Sequence, residues 1–120
     1  MIFRSEKWEL DTEKVTVTNL ESGEQYEFYE DCVRYHLHHS EEYFPERLQK
    51  LVDNGEILAY LEKLEIKVKD AINEQTEIWC SQDKNFQIAK ESGNLNEVGR
   101  IANMYRIIAE RSIYETMVYV

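Results

Sequence analysis

Between Lys14 and Tyr29 apolar and polar residues alternate. Val15 and Val17 fall on one side, a turn follows at Glu21-Ser22-Gly23-Glu24, and Tyr26 and Phe28 resume the pattern. A period of two in β-branched and aromatic residues predicts a β-hairpin, with Gly23 supplying the positive φ of a short loop. Trp8 and Leu10 share the period and predict a third strand. Two or three strands cannot bury themselves, so their apolar face needs helices to lie on.

The period lengthens after residue 31. Asp31 is expected to cap a short helix carrying Val33 and Leu37, and Ser40 to start a second, in which Phe44, Leu48, Leu51 and Val52 recur. Pro45 falls in the first turn of that helix, where a missing N–H is harmless, and Asn54-Gly55 reads as its stop. No glycine or proline interrupts residues 56–92. Leu61, Leu64, Val68, Ala71, Ile72, Ile78, Trp79, Phe86 and Ala89 form the stripe of one long helix there, or of two with a bend near Cys80-Ser81. Asn94 with Glu97 resembles a capping box and opens a last helix over 95–117, with Val98, Ile101, Ala102, Tyr105, Ile108, Ala109 and Ile113 on its buried face. The short Ser92-Gly93-Asn94 connection predicts antiparallel packing of the long helices, with Ala102 and Ala109 permitting a close approach. The expected fold is α+β, mainly α, in one domain: a hairpin region 1–31, short helices over 32–54, and the two long helical segments.

Composition supports a packed unit. A 42% hydrophobic fraction with one proline and four glycines argues against disorder, and 120 residues suit a single domain. No run approaches about 18 apolar residues, and Met1 to Glu9 mix both charge signs, so neither a membrane span nor a signal region is expected, and the expected location is the cytoplasm. Charge changes the picture more. The formal net charge is −10, beyond the magnitude of about 2 to 8 usual for a small domain. Residues 1–56 hold 14 acidic and 6 basic residues, whereas 57–120 hold 10 and 8, so the first half owns the acidity. Such a field repels phosphate backbones. It serves either as a binding surface or only to keep the protein in solution.

Candidate chemistry is sparse. Cys32 and Cys80 form no CxxC pair and are expected as reduced thiols. His36, His38 and His39 follow Cys32, but only Cys32 and His36 share a helical face, and no second ligand group has zinc-like spacing. The competing reading places the histidines near a helix C-terminus, where the dipole favours them. Cys80 beside Trp79 reads as core rather than nucleophile. There is no phosphate-binding glycine loop, GxSxG or HExxH, so no enzyme and no cofactor are expected. Arg100, Arg106 and Arg111 do not form one stripe at about 100° per residue, and the overall charge opposes direct nucleic-acid binding.

Two segments carry a likeness to a known family. Leu51-Val52-Asp53-Asn54-Gly55-Glu56-Ile57-Leu58-Ala59-Tyr60-Leu61 pairs a helix end and glycine with a leucine-containing restart. Asn96 to Tyr105, Ala109-Glu110 and the end from Tyr114 to Tyr119 form a closing helix with an aromatic terminus. Residues of about 48–120 resemble the transposon-encoded TnpV family of small mobile-element proteins. That family usually carries a basic Gly- and Arg-rich segment before these helices, whereas here Glu27 to Tyr35 are acidic and aromatic. The resemblance implies a mobile-element setting and no catalytic residues. A small, acidic, tyrosine-rich protein of that setting is similar in character to host-defence antagonists such as anti-CRISPR proteins.

The resulting expectation is a non-enzymatic inhibitor whose partner is a basic nucleic-acid-binding protein, a CRISPR effector among them. Carboxylates would satisfy the Lys and Arg groups that otherwise hold phosphates, and tyrosines would add contact area. The expected contact residues are Glu21, Glu24 and Glu27 of the hairpin, Glu30, Asp31, Glu41 and Glu42 beyond it, and Tyr29, Tyr35 and Tyr43 between them. Glu62, Glu65 and Glu74 on the long helix are expected to matter much less. The alternatives are an accessory protein of an integrative element, binding recombination machinery or DNA, and a homodimer formed through an apolar seam on the long helices.

Overall fold

In a computed structural model describing residues 1–120, the alternating N-terminal segment closes into an antiparallel four-stranded meander. Its strands are β1 (Ile2–Arg4), β2 (Trp8–Asp11), β3 (Thr16–Asn19) and β4 (Gln25–Glu27). The register places Phe3 opposite Leu10, Leu10 opposite Val17 and Val17 opposite Tyr26, so one row of apolar side chains crosses the whole sheet. The expected hairpin and third strand are present. β1 is an addition, too short to show a period by itself. Val15 is not a strand residue: it sits in the β2–β3 turn at φ 56°, a costly conformation for a β-branched residue. Its buried side chain and the Phe28 N–H donated to its carbonyl at 3.1 Å hold it there.

Five α-helices follow: α1 (Asp31–Tyr43), α2 (Pro45–Asp53), α3 (Ile57–Gln82), α4 (Lys84–Glu91) and α5 (Leu95–Ile113). α1 begins at the residue expected to cap it. Glu30 is the flanking residue, and the Asp31 carboxylate accepts from Arg34 at 2.6 Å rather than capping the backbone. Nor does Ser40 start a helix. It lies buried inside α1, and the break comes at Phe44, which the following proline keeps out of helical geometry. Pro45 therefore opens α2 itself. Gly55 ends that turn at φ +72°, where a Cβ would also meet the Trp8 indole Nε1 at 3.3 Å.

Residues 56–92 form two helices. Asp83 breaks them apart by capping α4, its Oδ1 accepting the Phe86 N–H at 3.0 Å. Its other oxygen accepts the Tyr105 hydroxyl at 2.5 Å, and the Tyr105 ring lies 5.9 Å from that of Trp79, which ties the break to α5. The capping box before α5 is half formed. Asn94 accepts the Glu97 N–H at 3.2 Å, while the Glu97 side chain turns to Arg100. Beyond α5 a π-helical turn, Tyr114–Val118, carries an i to i+5 bond from the Tyr119 N–H to the Tyr114 carbonyl at 3.0 Å. No helix is long and apolar enough to cross a membrane.

The core gathers at one end. The sheet row, Val33 and Leu37 of α1, Leu48 and Val52 of α2, Leu61 to Ile72 of α3, Ala109 and Val118 pack as one cluster. Beyond it α3, α4 and the first half of α5 run out as a slender arm in which only Cys80, Ala89 and Ile101 are buried. Extents of 59 × 28 × 20 Å and a radius of gyration of 18.4 Å follow, against about 14 Å for a compact chain of this length. Two residues assigned to the buried stripes are therefore exposed: Ile78 and Ile108, the latter by 50%. The arm is only about two helix layers thick, so it offers each helix fewer neighbours than a bundle would.

His36 clasps α1 to α3 and to the terminal turn. It is buried in the middle of α1, not at a helix end, with Nδ1 2.8 Å from the Val118 carbonyl and Nε2 2.7 Å from the Tyr60 hydroxyl. A carbonyl only accepts, so Nδ1 carries the proton and neutral Nε2 accepts from Tyr60. Arg47 extends the clasp by donating to Ser40 Oγ at 3.0 Å and to the Val120 carbonyl at 2.7 Å. Burial pushes the imidazole pKa down, opposed in part by the Val118 carbonyl and reinforced by the Arg47 cation.

Two outcomes follow from this packing. Because folded His36 binds a proton less readily than unfolded His36, stability should fall as pH drops through about 6.5, the unfolded pKa. Urea unfolding between about pH 8 and about pH 5 should show this loss in the wild type and a smaller one in His36→Gln, with His38 and His39 common to both. Ile101→Asp should cost about 3 to 5 kcal/mol in thermal or urea unfolding, since it places a charge where only 2% of the residue meets solvent.

Candidate functional site

The ten expected contact residues do not form one patch. Glu21 and Glu24 lie on the β3–β4 loop, Glu27 to Asp31 at the β4–α1 corner, and Glu41, Glu42 and Tyr43 at the far end of α1, about 15 Å along the helix from Asp31. Several of these charges are already matched within the chain. Glu30 binds Lys69 at 2.9 Å, Asp31 pairs with Arg34, and Glu21 lies 3.8 Å from Lys7. Glu41 turns inward, accepting the Thr12 hydroxyl and approaching the N-terminal amine at 4.0 Å. Tyr35 belongs to an aromatic cluster with Tyr114 and Tyr119, at centroid distances of 6.1 and 6.5 Å, and Tyr43 rests on the His39 ring at 4.8 Å.

What remains open is the flank between β4 and α3. A depression of about 430 Å³ there is lined by Tyr26, Glu27, Phe28 and Tyr29 from the strand side and by Glu62 and Glu65 from α3. Tyr29 is 85% exposed, and its hydroxyl donates to Glu27 at 2.5 Å; Tyr26 donates likewise to Glu24. Those carboxylates raise both phenol pKa values, so the tyrosines stay protonated donors. β4 is also the edge of the sheet. The bonds from Asn19 to Glu24 and from Phe28 to Val15 leave the backbone groups of Gln25 and Glu27 pointing away from β3.

Glu62 and Glu65, expected to matter less than the acids of the hairpin, line the same depression as Glu27. The period of α3 placed them correctly off the buried stripe, but nothing in that period says which strand lies across from them. Glu74 lies a turn and more beyond the depression and is the better comparison.

The thiols and imidazoles offer little chemistry. Both cysteines are free and buried, and burial, with Glu30 and Glu65 adding, pushes the Cys32 thiol up to about 11. Cys80 is raised as well, first by burial and then by Asp83. No three His, Cys, Asp or Glu side chains stand close enough together to hold a metal ion. No family model matches the chain, and comparisons with curated proteins and with solved structures give no match either.

Iodoacetamide should therefore leave Cys32 unlabelled in the native protein and label it after unfolding, as read by intact mass at neutral pH. Treatment with a chelator should leave the melting temperature unchanged, and stoichiometric zinc in protein purified without added metal would contradict that expectation.

Proposed function

We propose that this chain is a non-enzymatic binding protein that inhibits a basic nucleic-acid-binding protein by occupying its phosphate-contacting surface. The observation that supports it best is the open flank between β4 and α3. There Glu27, Glu62 and Glu65 converge around an exposed Tyr29 beside a free strand edge. Carboxylates on a rigid frame offer guanidinium and ammonium groups the partners they find in phosphates, and a tyrosine held by its own hydroxyl contributes contact area at little entropy cost. Glu27 and Glu62 enter no ion pair, whereas Glu65 lies 3.8 Å from Lys69, and Glu30, Asp31 and Glu21 have cations of their own.

The resemblance of residues 48–120 to a transposon-encoded family supports a mobile-element setting, in which a CRISPR effector is a fitting target. The same resemblance favours a second reading, an accessory protein acting on the recombination machinery of an integrative element. The two part on which basic protein is bound.

A guide-loaded CRISPR nuclease holding labelled target duplex provides the test. The chain should displace the duplex, and less effectively as salt rises and screening shortens the field to about 8 Å. Glu27→Lys combined with Glu62→Lys should remove displacement, while Glu74→Lys combined with Glu91→Lys should leave it nearly intact. Equal losses from both pairs would mean a diffuse field. No displacement by the wild type, with capture of a recombinase instead, would favour the second reading.

A further inference from the structure

α5 is apolar on two faces. Val98, Ile101, Tyr105 and Ala109 point toward α3 and α4, whereas Met104, Ile107 and Ile108 fall on an arc centred about 110° away, at roughly 100° per residue. That outer arc is open: Met104 is 41% exposed, Ile107 52% and Ile108 50%. A helix of an isolated arm has no reason to carry a second apolar stripe, since the stripe covers nothing within the chain.

Its ends are charged in a definite order. Glu97 lies seven residues before Met104 and Arg111 seven residues after it, both on the same arc, while Arg100 and Ile108 lie four residues to either side. Glu97 is matched within the chain by Arg100 at 2.5 Å, and no ion pair engages Arg111. The surface is also larger than a lone chain needs. It amounts to 7925 Å², where a folded monomer of 14.4 kDa exposes about 6,800 Å², and the excess exceeds the roughly 800 Å² that each partner gives to a standard interface.

The geometry points to a second copy of this chain as the occupant of the stripe, packed antiparallel along α5 about a twofold axis at Met104. In that arrangement Met104 meets its own counterpart, and Ile108 lies against the aliphatic stem of Arg100 from the other copy. Arg111 of each copy faces Glu97 of the other, so the order of charges is satisfied twice. A parallel pairing would set Arg111 against Arg111. The interface shares no residue with the acidic flank beside β4, and it stands or falls independently of what that flank binds.

Sedimentation equilibrium from about 1 μM to about 500 μM tests the arrangement. The wild type should pass from 14.4 kDa to twice that mass, and Ile107→Asp with Ile108→Asp should remain monomeric with unchanged helical circular dichroism. Glu97→Arg and Arg111→Glu should each weaken association at least about tenfold, and the two together in one chain should restore it. A wild type that stays monomeric throughout overturns the proposal and leaves the stripe to a different protein. A dimer that survives the isoleucine replacements overturns it too, and a charge exchange that restores nothing overturns the antiparallel pairing about Met104.

Discussion

A neutral imidazole holds this fold closed. His36, Tyr60 and Val118 belong to α1, α3 and the terminal turn, and no local sequence preference brings them together. Once they meet, each polar group has its partner in a place water does not reach, and a carbonyl left without its donor there costs about 1 to 3 kcal/mol. The π-helical turn is part of the same arrangement. One extra residue in that turn swings Val118 into the core while its carbonyl stays within reach of Nδ1, and Arg47 secures the chain two residues later. The sheet depends on this closure at one remove, because its apolar row needs the helices that His36 holds in place.

The charge of the first half acquires meaning only through its neighbours. Lys69, Arg34, Lys7 and the N-terminal amine reach six carboxylates between them, among them Glu30, Asp31, Glu21 and Glu41 of that half and Glu65 beyond it. Exposed pairs of this kind contribute little to stability, yet they remove charge from the field a partner meets. What is left is spread along the half, from Glu6 and Asp11 to Asp53 and Glu56, and Glu27 is the one acid of that half that lines the flank where β4 approaches α3. A count of acids and bases along the chain locates the half that is acidic, and only the ion pairs show which of its carboxylates stay unmatched.

The shape divides the labour. A packed head contains the sheet, α1, α2 and the ends of α3 and α5, and carries most of the buried apolar surface. The arm has few buried residues and is held by specific contacts, notably the Asp83 cap joined to Tyr105 and the ring of Trp79 against it. Elements so thinly covered sit at the low end of the local stability range, and a second copy lying along α5 would supply the neighbours the arm lacks.

Periodicity alone determined a good deal. The hairpin around Gly23, the strand at Trp8 and Leu10, the stop at Gly55 and the restart at Asn94 all stand where local rules put them, because turns, caps and alternation act over a few residues. β1 escaped, since three residues carry no period and only the pairing of Phe3 with Leu10 makes them a strand. The helix expected from Ser40 starts at Pro45 instead, and its first residues close α1, because Pro45 keeps Phe44 out of helical geometry. Ile108 is different in kind. Its spacing fits a buried face, but the arm is one layer short of burying it, and no pattern within a helix reveals how many neighbours the helix will have. The same holds for Glu62 and Glu65 beside Glu27 and for His36 beneath Val118. Local rules set most of the elements and their apolar faces, whereas which faces meet is settled by contacts between residues far apart along the chain, and no short-range pattern carries that information.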